Sequence, residues 1–554
     1  MSDTQVAAFP ELNAEQMDRL RGYGISEKVR GGEVLVSTGQ LVYDFLILDT
    51  ASAEIVREAD DDQAEAVVAQ VPPRRFLGEL NLITGQAVYL TTRATADGEI
   101  IRIDPANFRR LMAEDTALSD LILRTFLQRR HELQTGEGAL SVRILGSGQS
   151  RESLALRTWA VRSRIAHTWI DIDSESGRAL ARSLDISPGQ LPIVATHTGL
   201  ISNATTALLA QAMNLTYAPS APASAESIVD IVVVGAGPAG LAAAVYGASE
   251  GLRTMVFEAV AVGGQASASS RIENYLGFES GISGTELTGR AMVQAQKFGA
   301  RIASPCIVES VHPIDGTFEV SLSDHTTVRA RTVVVATGAR FRTLNLPRWH
   351  ELEGRGIFYA ATEAEARLCE GGPVAVVGGA NSAGQAALFL ANHGCPVALV
   401  VRSNDLYGGM SAYLAHRIEA DSRIQVRLES EVTALTGDRN LAGIAVTDHR
   451  TNHVDALDCS ALFCFIGADP ASSWLDGIQL DAEGFILTDS ALLARENSAG
   501  WNPVDRVPLP FETSEPGIFA IGDVRAGSMK RVAAAVGDGA SCVRSIHQYL
   551  GLTS

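Results

Sequence analysis

The chain has 554 residues, which at roughly 100–200 residues per domain asks for three or four domains. Hydrophobic residues make up 46% and charged residues 20%, an ordinary globular balance that excludes a disordered chain. Against 45 Lys and Arg stand 64 Asp and Glu, so the formal net charge is −19; that field repels phosphate backbones, and no nucleic-acid partner is expected. Two long charge-free stretches need testing against a membrane span of about 20 apolar residues. Residues 186–225 are interrupted by Pro188, Pro192, His197, Asn203, Gln211 and Asn214. Residues 231–249 hold Gly235, Gly237, Pro238 and Gly240 directly after a short β-branched run, and read as strand, turn and helix. No membrane span is expected, and no basic-then-apolar start argues for export. Six cysteines (306, 369, 395, 459, 464, 542) are scattered with neither disulfide nor zinc spacing, which fits a reducing cytoplasm.

In chain order, residues 1–137 open with a short amphipathic stretch at 12–20. Alternating runs follow at 33–36, 44–48, 53–57, 66–71, 91–94 and 99–103, separated by Gly and Asp turn signals. They predict a small antiparallel β-roll, with helices over 107–112 and 118–133 behind it. Residues 140–216 alternate strand (142–145), helix (152–163), strand (168–172), helix (177–184), strand (193–195) and helix (205–213), a compact α/β unit. An Ala-, Ser- and Pro-rich linker over 217–226 separates these from the largest block, 227–554.

That block carries two glycine-rich strand–turn–helix units. In the first, Gly235-Ala-Gly237-Pro238-Ala239-Gly240 follows the strand 231–234 and opens an Ala-rich helix, and the returning strand 254–257 ends on Glu258. The first glycine makes the tight turn, the second admits a pyrophosphate, and the third lets helix pack on strand; the helix N-terminus faces the phosphates and the carboxylate can accept ribose hydroxyls. The second unit is Gly378-Gly379-Ala380-Asn381-Ser382-Ala383 after the strand 374–377, with Arg402 closing the strand 397–401. Ala380 stands where the second glycine belongs. Arg402, where a carboxylate would select NAD, favours a 2′-phosphate and hence NADPH, with NADH as the second choice; the alternative is a solvated strand-end Arg.

Residues 227–554 resemble the low-molecular-weight thioredoxin reductases along nearly their whole length. The matching stretches are Gly263-Gly264-Gln265, Ile272-Glu-Asn274-Tyr275, Gly284-Thr-Glu-Leu287, Gln296-Lys-Phe-Gly299, Ala336-Thr337-Gly338, Phe465-Ile-Gly467 and Gly517-Ile-Phe-Ala-Ile-Gly522-Asp523-Val524. The resemblance implies two nested Rossmann-like domains: FAD on 227–346 and 472–554, NAD(P)H on 347–471, in a homodimer. It puts the first glycine triplet and Glu258 on FAD, Gly264, Gln265 and Asn274 near the flavin, Ala336, Thr337 and Gly338 beside it, and Gly522 and Asp523 on the ribityl and phosphate side. Lys530, Arg531 and Val532 fall at the flavin lid, where the basic pair docks an acidic carrier, supports the flavin O2 electrostatically, or is an exposed charged turn.

The family's dithiol motif is missing. The corresponding stretch is Tyr359-Ala360-Ala-Thr-Glu363-Ala364, with Ala360 and Glu363 in place of both cysteines and Ala364 in place of the acid. Disulfide exchange needs a thiolate and a resolving sulfur, so the expectation is an FAD-dependent NAD(P)H oxidoreductase with no certain catalytic residue, delivering electrons to an external acceptor: a protein carrier, a quinone or oxygen. The alternatives are a redox- or ligand-sensing flavoprotein with little turnover, and a true thioredoxin-disulfide reductase using thiols elsewhere.

Phe76-Leu-Gly78-Glu79-Leu80 after the β-roll resembles the cyclic-nucleotide-binding fold, in which the Gly and Glu meet the ribose and a following Arg meets the cyclic phosphate. Here Tyr89 stands at that Arg position, and Arg93 comes later in the next strand. Gly78, Glu79, Leu80 and Arg93 are the candidate contacts for a cyclic nucleotide or another small effector; the alternative is a sensor domain kept for oligomerisation or docking. The unit 140–216 resembles a thioredoxin-like fold, with Leu191-Pro192-Ile193 at its cis-proline position and Gly148-Gln-Ser-Arg-Glu152, without cysteine, at its redox position; the alternative is an unrelated small α/β domain.

Overall fold

The computed structural model describes residues 8–552, except 60–63, 137–139, 149, 184–185, 198, 218–227, 270, 273, 360, 362, 370 and 494–505. The chain divides into two compact units: 1–148 with 155–220 and 293–306, and 149–154 with 221–292 and 307–554.

The first unit begins with two four-stranded antiparallel sheets. One runs Ile25–Val29, Gly98–Ile103, Phe45–Leu48, Arg75–Leu77, and the other Val34–Val36, Thr91–Ala94, Ala53–Arg57, Ala66–Val71. The β-roll expected from alternation is therefore present, with Ile25–Val29 and Arg75–Leu77 as additional strands. Its core holds Phe45, with ring centroids 5.4 Å from Phe76, 5.0 Å from Phe108 and 6.1 Å from Phe126. Helix Pro105–Glu114 starts on Asp104, whose carboxylate accepts from the N–H groups of Ala106 and Asn107. Helix Thr116–Thr135 starts on Asp115, which accepts from Leu118 N and pairs with Arg19.

Near its end this helix carries two buried cations, Arg129 and Arg130. Arg130 grips Glu79 through Nε (2.5 Å) and Nη2 (2.6 Å) and also donates to Gln86 Oε1 (2.9 Å), Asn81 Oδ1 and the carbonyl of Arg164. Burial works against this guanidinium, yet Glu79 beside it raises its pKa above the ordinary value. The loop Gly85–Ala87 is tied to the following α/β module by Gln86 Nε2 to Ser163 O (2.8 Å), Asn214 Nδ2 to Gly85 O (3.0 Å) and Ala87 N to Met213 O (3.2 Å).

That module is a four-stranded sheet in the order Thr168–Asp171, Arg143–Gly146, Ile193–Thr196, Gly199–Ile201, the first two parallel and the rest antiparallel. Helices Arg151–Arg162, Glu175–Ser183 and Thr206–Ala212 connect and follow its strands. The Leu191–Pro192 peptide bond is cis. Trp159, Ile144, Leu145 and Val194 are fully buried. The linker expected at 217–226 and Gln149 lie outside the described residues, Tyr217 apart.

In the second unit, strand Val229–Val234 lies between Thr254–Phe257 and Thr327–Val335, all parallel, and Ile518–Ala520 pairs in parallel with Thr327–Val335. Strands Val308–Ile314 and Thr317–Leu322 extend this sheet antiparallel. A parallel sheet covered on both faces takes continuous apolar strands, and Ile231, Val232 and Val233 are wholly buried. A second sheet orders Ile357–Phe358, Ala461–Cys464, Val374–Val377, Val397–Val400, Ile424–Arg427, all parallel. The meander Ser430–Thr436, Gly443–Asp448, His453–Asp458 accompanies it. The antiparallel pair Ala339–Phe341 and Ala468–Pro470 carries the chain out to the second sheet and back.

Removing one partner of a buried ion pair leaves the other charge uncompensated. Arg130→Met should therefore lower the stability of the first unit by about 3–5 kcal/mol, read as an earlier denaturant transition. Glu79→Gln combined with Arg130→Met should recover part of that loss.

Candidate functional site

Strand Val229–Val234 delivers Gly235 into a left-handed turn (φ +105°), where a Cβ would lie 2.4 Å from Ala336 O. A Cβ on Gly240 would fall 1.9 Å from Gly235 O, so the third glycine is needed for the helix to meet the turn. Gly237 differs. Its φ is −74°, and the nearest atom to a Cβ built there is Gly264 Cα at 3.9 Å. No protein contact demands glycine at this position, whereas a pyrophosphate laid against the turn does. Helix Pro238–Ser249 begins here with Pro238 in its first turn and no side-chain cap, leaving first-turn N–H groups for a ligand. Glu258 is 9% exposed; its carboxylate accepts from Ala236 N (2.7 Å) and Val260 N (3.0 Å), so it also shapes the turn.

The facing wall comes from the end of the chain. Gly522 (φ +68°) donates its N–H to Asp538 Oδ2 at 3.1 Å, and a Cβ on it would lie 2.8 Å from Ala239 Cβ. Helix Val532–Tyr549 packs closely on helix Pro238–Ser249, since a Cβ at Gly539 would stand 2.3 Å from Ala239 O. Asp523, next to Gly522, is half-buried and pushed up in pKa by that burial, with Lys530 opposing the shift. Its carboxylate accepts no hydrogen bond among the described residues, an acceptor suited to sugar or ribityl hydroxyls. Lys530 Nζ lies 4.5 Å from the Phe485 ring centroid, while Arg531 is exposed as the residue before the helix that starts at Val532.

Other expected positions bond to backbone carbonyls. Ala336 N donates to Val234 O (2.8 Å), Thr337 Oγ1 to Ala471 O (2.7 Å), and Gln265 Nε2 to Ala339 O (2.6 Å). Gly264 and Gly338 take positive φ. The described contacts link Gly235, Gly237, Ala239, Gly264, Ala336 and Gly522 around one cradle. Asn274 is exposed and makes none of these contacts.

At the second turn Gly378 takes φ +142°, with a Cβ position 2.4 Å from Phe465 O. Ala380 caps helix Asn381–Asn392 in an extended conformation without side-chain capping. Asn381 Oδ1 accepts from Ser411 N (2.7 Å), Ser382 is exposed and Ala383 is buried. A Cβ on Gly409 would lie 2.7 Å from Gly379 O, so the Gly408-Gly409 doublet, unused in the sequence reading, permits this approach. A cleft of about 1210 Å³ opens here, lined by Gly378, Gly379, Ala380 and Arg402, with Phe341 and Arg342 on another wall. Arg402 is exposed and pairs with no carboxylate among the described residues.

Of the expected dithiol positions, Ala360 lies outside the described residues, and Glu363 starts helix Glu363–Leu368 with its side chain, like that of Ala364, undescribed. The preceding Tyr359 stacks on Phe341 (centroids 5.2 Å apart, 6° between planes), donates to Glu353 Oε1 (2.5 Å) and accepts from Trp349 Nε1 (2.7 Å). None of the six cysteines is in a disulfide, and all but the half-buried Cys306 are buried. Burial pushes the Cys369, Cys459 and Cys464 thiols up to about 12, leaving a negligible thiolate fraction near neutral pH. Among the described residues no group of His, Cys, Asp and Glu could hold a metal ion, and no helix is long and apolar enough to cross a membrane.

In the β-roll, Gly78 (φ +116°) and Glu79 line a cavity, Leu80 is core, and Arg93 pairs with Glu54 (2.8 Å) and Glu65 (2.9 Å) away from that lining.

Gly237→Val should fold, because nothing in the protein opposes its side chain, yet lose the dinucleotide. The expected outcome is an unchanged far-UV spectrum with little flavin absorption, and full flavin content in that variant would contradict the cradle.

The chain matches the pyridine nucleotide-disulphide oxidoreductase family over residues 229–539 and the cyclic nucleotide-binding domain family over residues 26–115. It is 32% identical to a thioredoxin reductase of Treponema pallidum over 59% of this chain and 98% of that protein. With a thioredoxin reductase of Streptomyces coelicolor it shares 32% over 59% of this chain and 95% of that one. The crystal structure of T. acidophilum thioredoxin reductase superimposes with a TM-score of 0.52 at 28% identity, covering 58% of this chain and 98% of its own. With two glycine turns, each following a parallel strand of its own sheet, inside the matched span, the chain belongs to the pyridine nucleotide-disulphide oxidoreductase family, as an FAD-dependent NAD(P)H oxidoreductase of thioredoxin reductase-like type.

Proposed function

We propose that this enzyme draws hydride from NADPH and passes electrons to an external acceptor that is not a protein disulfide: a quinone, dioxygen or a one-electron protein carrier. The observation that carries this reading is the state of its sulfur. The chain contains no Cys-x-x-Cys pair, and Cys369, near the expected dithiol position, is a buried thiol raised to about 12. Thiol–disulfide exchange needs an accessible thiolate and a second sulfur to resolve the mixed disulfide. The reaction that remains is NADPH plus a proton plus a quinone or dioxygen, giving NADP⁺ and the quinol or hydrogen peroxide, or NADPH plus two oxidised one-electron carriers, giving NADP⁺, a proton and two reduced carriers.

FAD supplies the relay between nicotinamide and acceptor when bound. The residues of this chain bind and orient. Gly237 and the uncapped start of helix Pro238–Ser249 receive the pyrophosphate, Glu258 receives adenosine hydroxyls, and Asp523, which accepts no hydrogen bond among the described residues, receives the ribityl side. At the second turn Gly378, Gly379 and the uncapped helix after Ala380 receive the NADPH pyrophosphate, and the exposed guanidinium of Arg402 receives the 2′-phosphate. Lys530 and Arg531 offer positive charge beside Asp523 for an acidic carrier or an anionic acceptor.

The module 140–216 is read as a thioredoxin-like scaffold without thiols. This is supported by its strand order and directions, with Ile193–Thr196 running antiparallel to Arg143–Gly146, and by the absence of cysteine before residue 306. It serves with the β-roll as a sensing or docking region rather than as a dithiol carrier. The boundaries that go with this reading are 1–137, 140–216, 227–346 with 472–554, and 347–471.

Two measurements test it. Arg402→Ala should weaken NADPH by about tenfold or more in flavin reduction while leaving NADH nearly unchanged, as expected for loss of one charge-assisted phosphate contact; equal losses for both nucleotides would remove the assignment. Replacing all six cysteines by Ser should leave NADPH-dependent quinone or oxygen reduction largely intact where flavin content is retained. Efficient reduction of thioredoxin by the wild type, abolished by Cys369→Ser, would instead establish a single-thiol route.

A further inference from the structure

We propose that the β-roll cavity binds a neutral, mainly apolar, ring-bearing small molecule and does not take a cyclic nucleotide. The cavity measures about 320 Å³ and is walled by both sheets and the last helix of the β-roll, with Val36, Leu46, Ile55, Val68, Leu77 and Val88 on its surface. That volume suits a compact organic ligand, and apolar cavities of this kind favour apolar guests.

Asp44, Glu79 and Arg129 at the wall are already engaged, while the fourth charged lining residue, Glu132, is exposed and accepts from Gln128 Nε2 at 2.9 Å. The Glu79 carboxylate is held by Arg130 at 2.5 and 2.6 Å and by Asn81 N at 3.1 Å, which leaves it about one acceptor site for ribose hydroxyls. Asp44 is paired with Arg102 at 3.3 Å. Arg129 donates to the carbonyls of Ala8 (2.7 Å), Phe76 (2.8 Å) and Gly78, and its carbon lies 4.4 Å from the Phe9 ring and 4.8 Å from the Phe76 ring. Three of its five N–H groups go to backbone carbonyls, and the guanidinium carbon lies over two aromatic rings. Where a cyclic phosphate would need a guanidinium, the wall presents Val88 and Tyr89, and the Tyr89 hydroxyl donates to Gln86 Oε1 at 3.0 Å. A phosphate monoanion entering this space would lose its hydration without a bidentate partner, whereas an uncharged ring loses little and buries its surface.

The test is titration calorimetry on the full-length, FAD-loaded protein. Four compounds are compared: the neutral probe N-phenyl-1-naphthylamine, its charged relative 1-anilinonaphthalene-8-sulfonate, cAMP and cGMP. The neutral amine should bind with a micromolar Kd and the sulfonate at least about tenfold more weakly, while neither nucleotide should give heat nor displace the amine. Ala69→Trp, on a half-exposed strand position lining the cavity, should fill it and weaken the amine by about tenfold or more. Val67→Trp, at a lining position 52% exposed, provides a second plug, and an unchanged denaturant transition of the first unit reports that each variant is folded. Micromolar binding of cAMP or cGMP would overturn the proposal, as would sulfonate binding equal to or tighter than the amine. Amine binding undiminished in both folded plug variants would overturn it too.

Discussion

A pyrophosphate can be held by a helix N-terminus only if backbone N–H groups reach it unobstructed, and this requirement fixes the second unit at both of its nucleotide turns. At Gly235 and Gly240 the missing Cβ serves the protein itself, since each would strike a carbonyl within 2.4 Å. At Gly237 it serves something else, because the protein leaves that direction open. The two kinds of glycine separate what the fold needs from what the ligand needs. The same separation explains why Ala380 is tolerated at the second turn: it holds an ordinary extended φ of −102° as the residue before an uncapped helix. Gly378 beside it, 2.4 Å from Phe465 O at its Cβ position, carries the steric load.

Around these turns the packing is arranged so that distant parts of the chain complete one cradle. Helix Val532–Tyr549 meets helix Pro238–Ser249 backbone to backbone through Gly539, and Gly522 fits against Ala239. Asp523 is thereby held partly out of water with its acceptor oxygens unspent, an arrangement that raises its pKa and is relieved when hydroxyl donors arrive. Buried thiols form the opposite case. Cys369 donates to its own helix at Glu365 O (3.1 Å), and burial raises its pKa, so it serves as a packing residue and not as a thiolate nucleophile.

Much of this was legible in the sequence because it is local. Alternation over 53–57, 66–71 and 91–94 marks strands that appear with the same bounds, and the glycine triplet with Glu258 announces its turn within one strand–helix–strand unit. The strand Ile25–Val29 escaped because four of its five residues are exposed, so it has no alternating face, and Arg75–Leu77 because three residues after two prolines carry no period. The pairings that redefine the β-roll site were out of reach for a different reason. Arg130 and Glu79 are far apart in the chain, and only the folded helix brings the guanidinium onto a carboxylate that the motif alone assigns to a ribose. Gly408-Gly409 was visible as a doublet, but its purpose depends on Gly379 O, 2.7 Å from a Cβ it does not have.

That one ion pair also connects two modules. Arg130 holds Glu79 in the cavity wall and at the same time donates to the Arg164 carbonyl, while Gln86, Ala87 and Gly85 of the same loop bond Ser163, Met213 and Asn214. The loop that a cyclic nucleotide would order by its phosphate is here ordered already, by protein groups. A guest in the cavity therefore has no loop to fold, and its effect on the α/β module must travel through the existing contacts of Arg130 and Gln86. Differential affinity for two arrangements of these contacts is the only means by which such a guest could regulate the enzyme. The cost of disturbing a buried ion pair limits that response to ligands that fit the apolar space while leaving Glu79 and Arg130 joined.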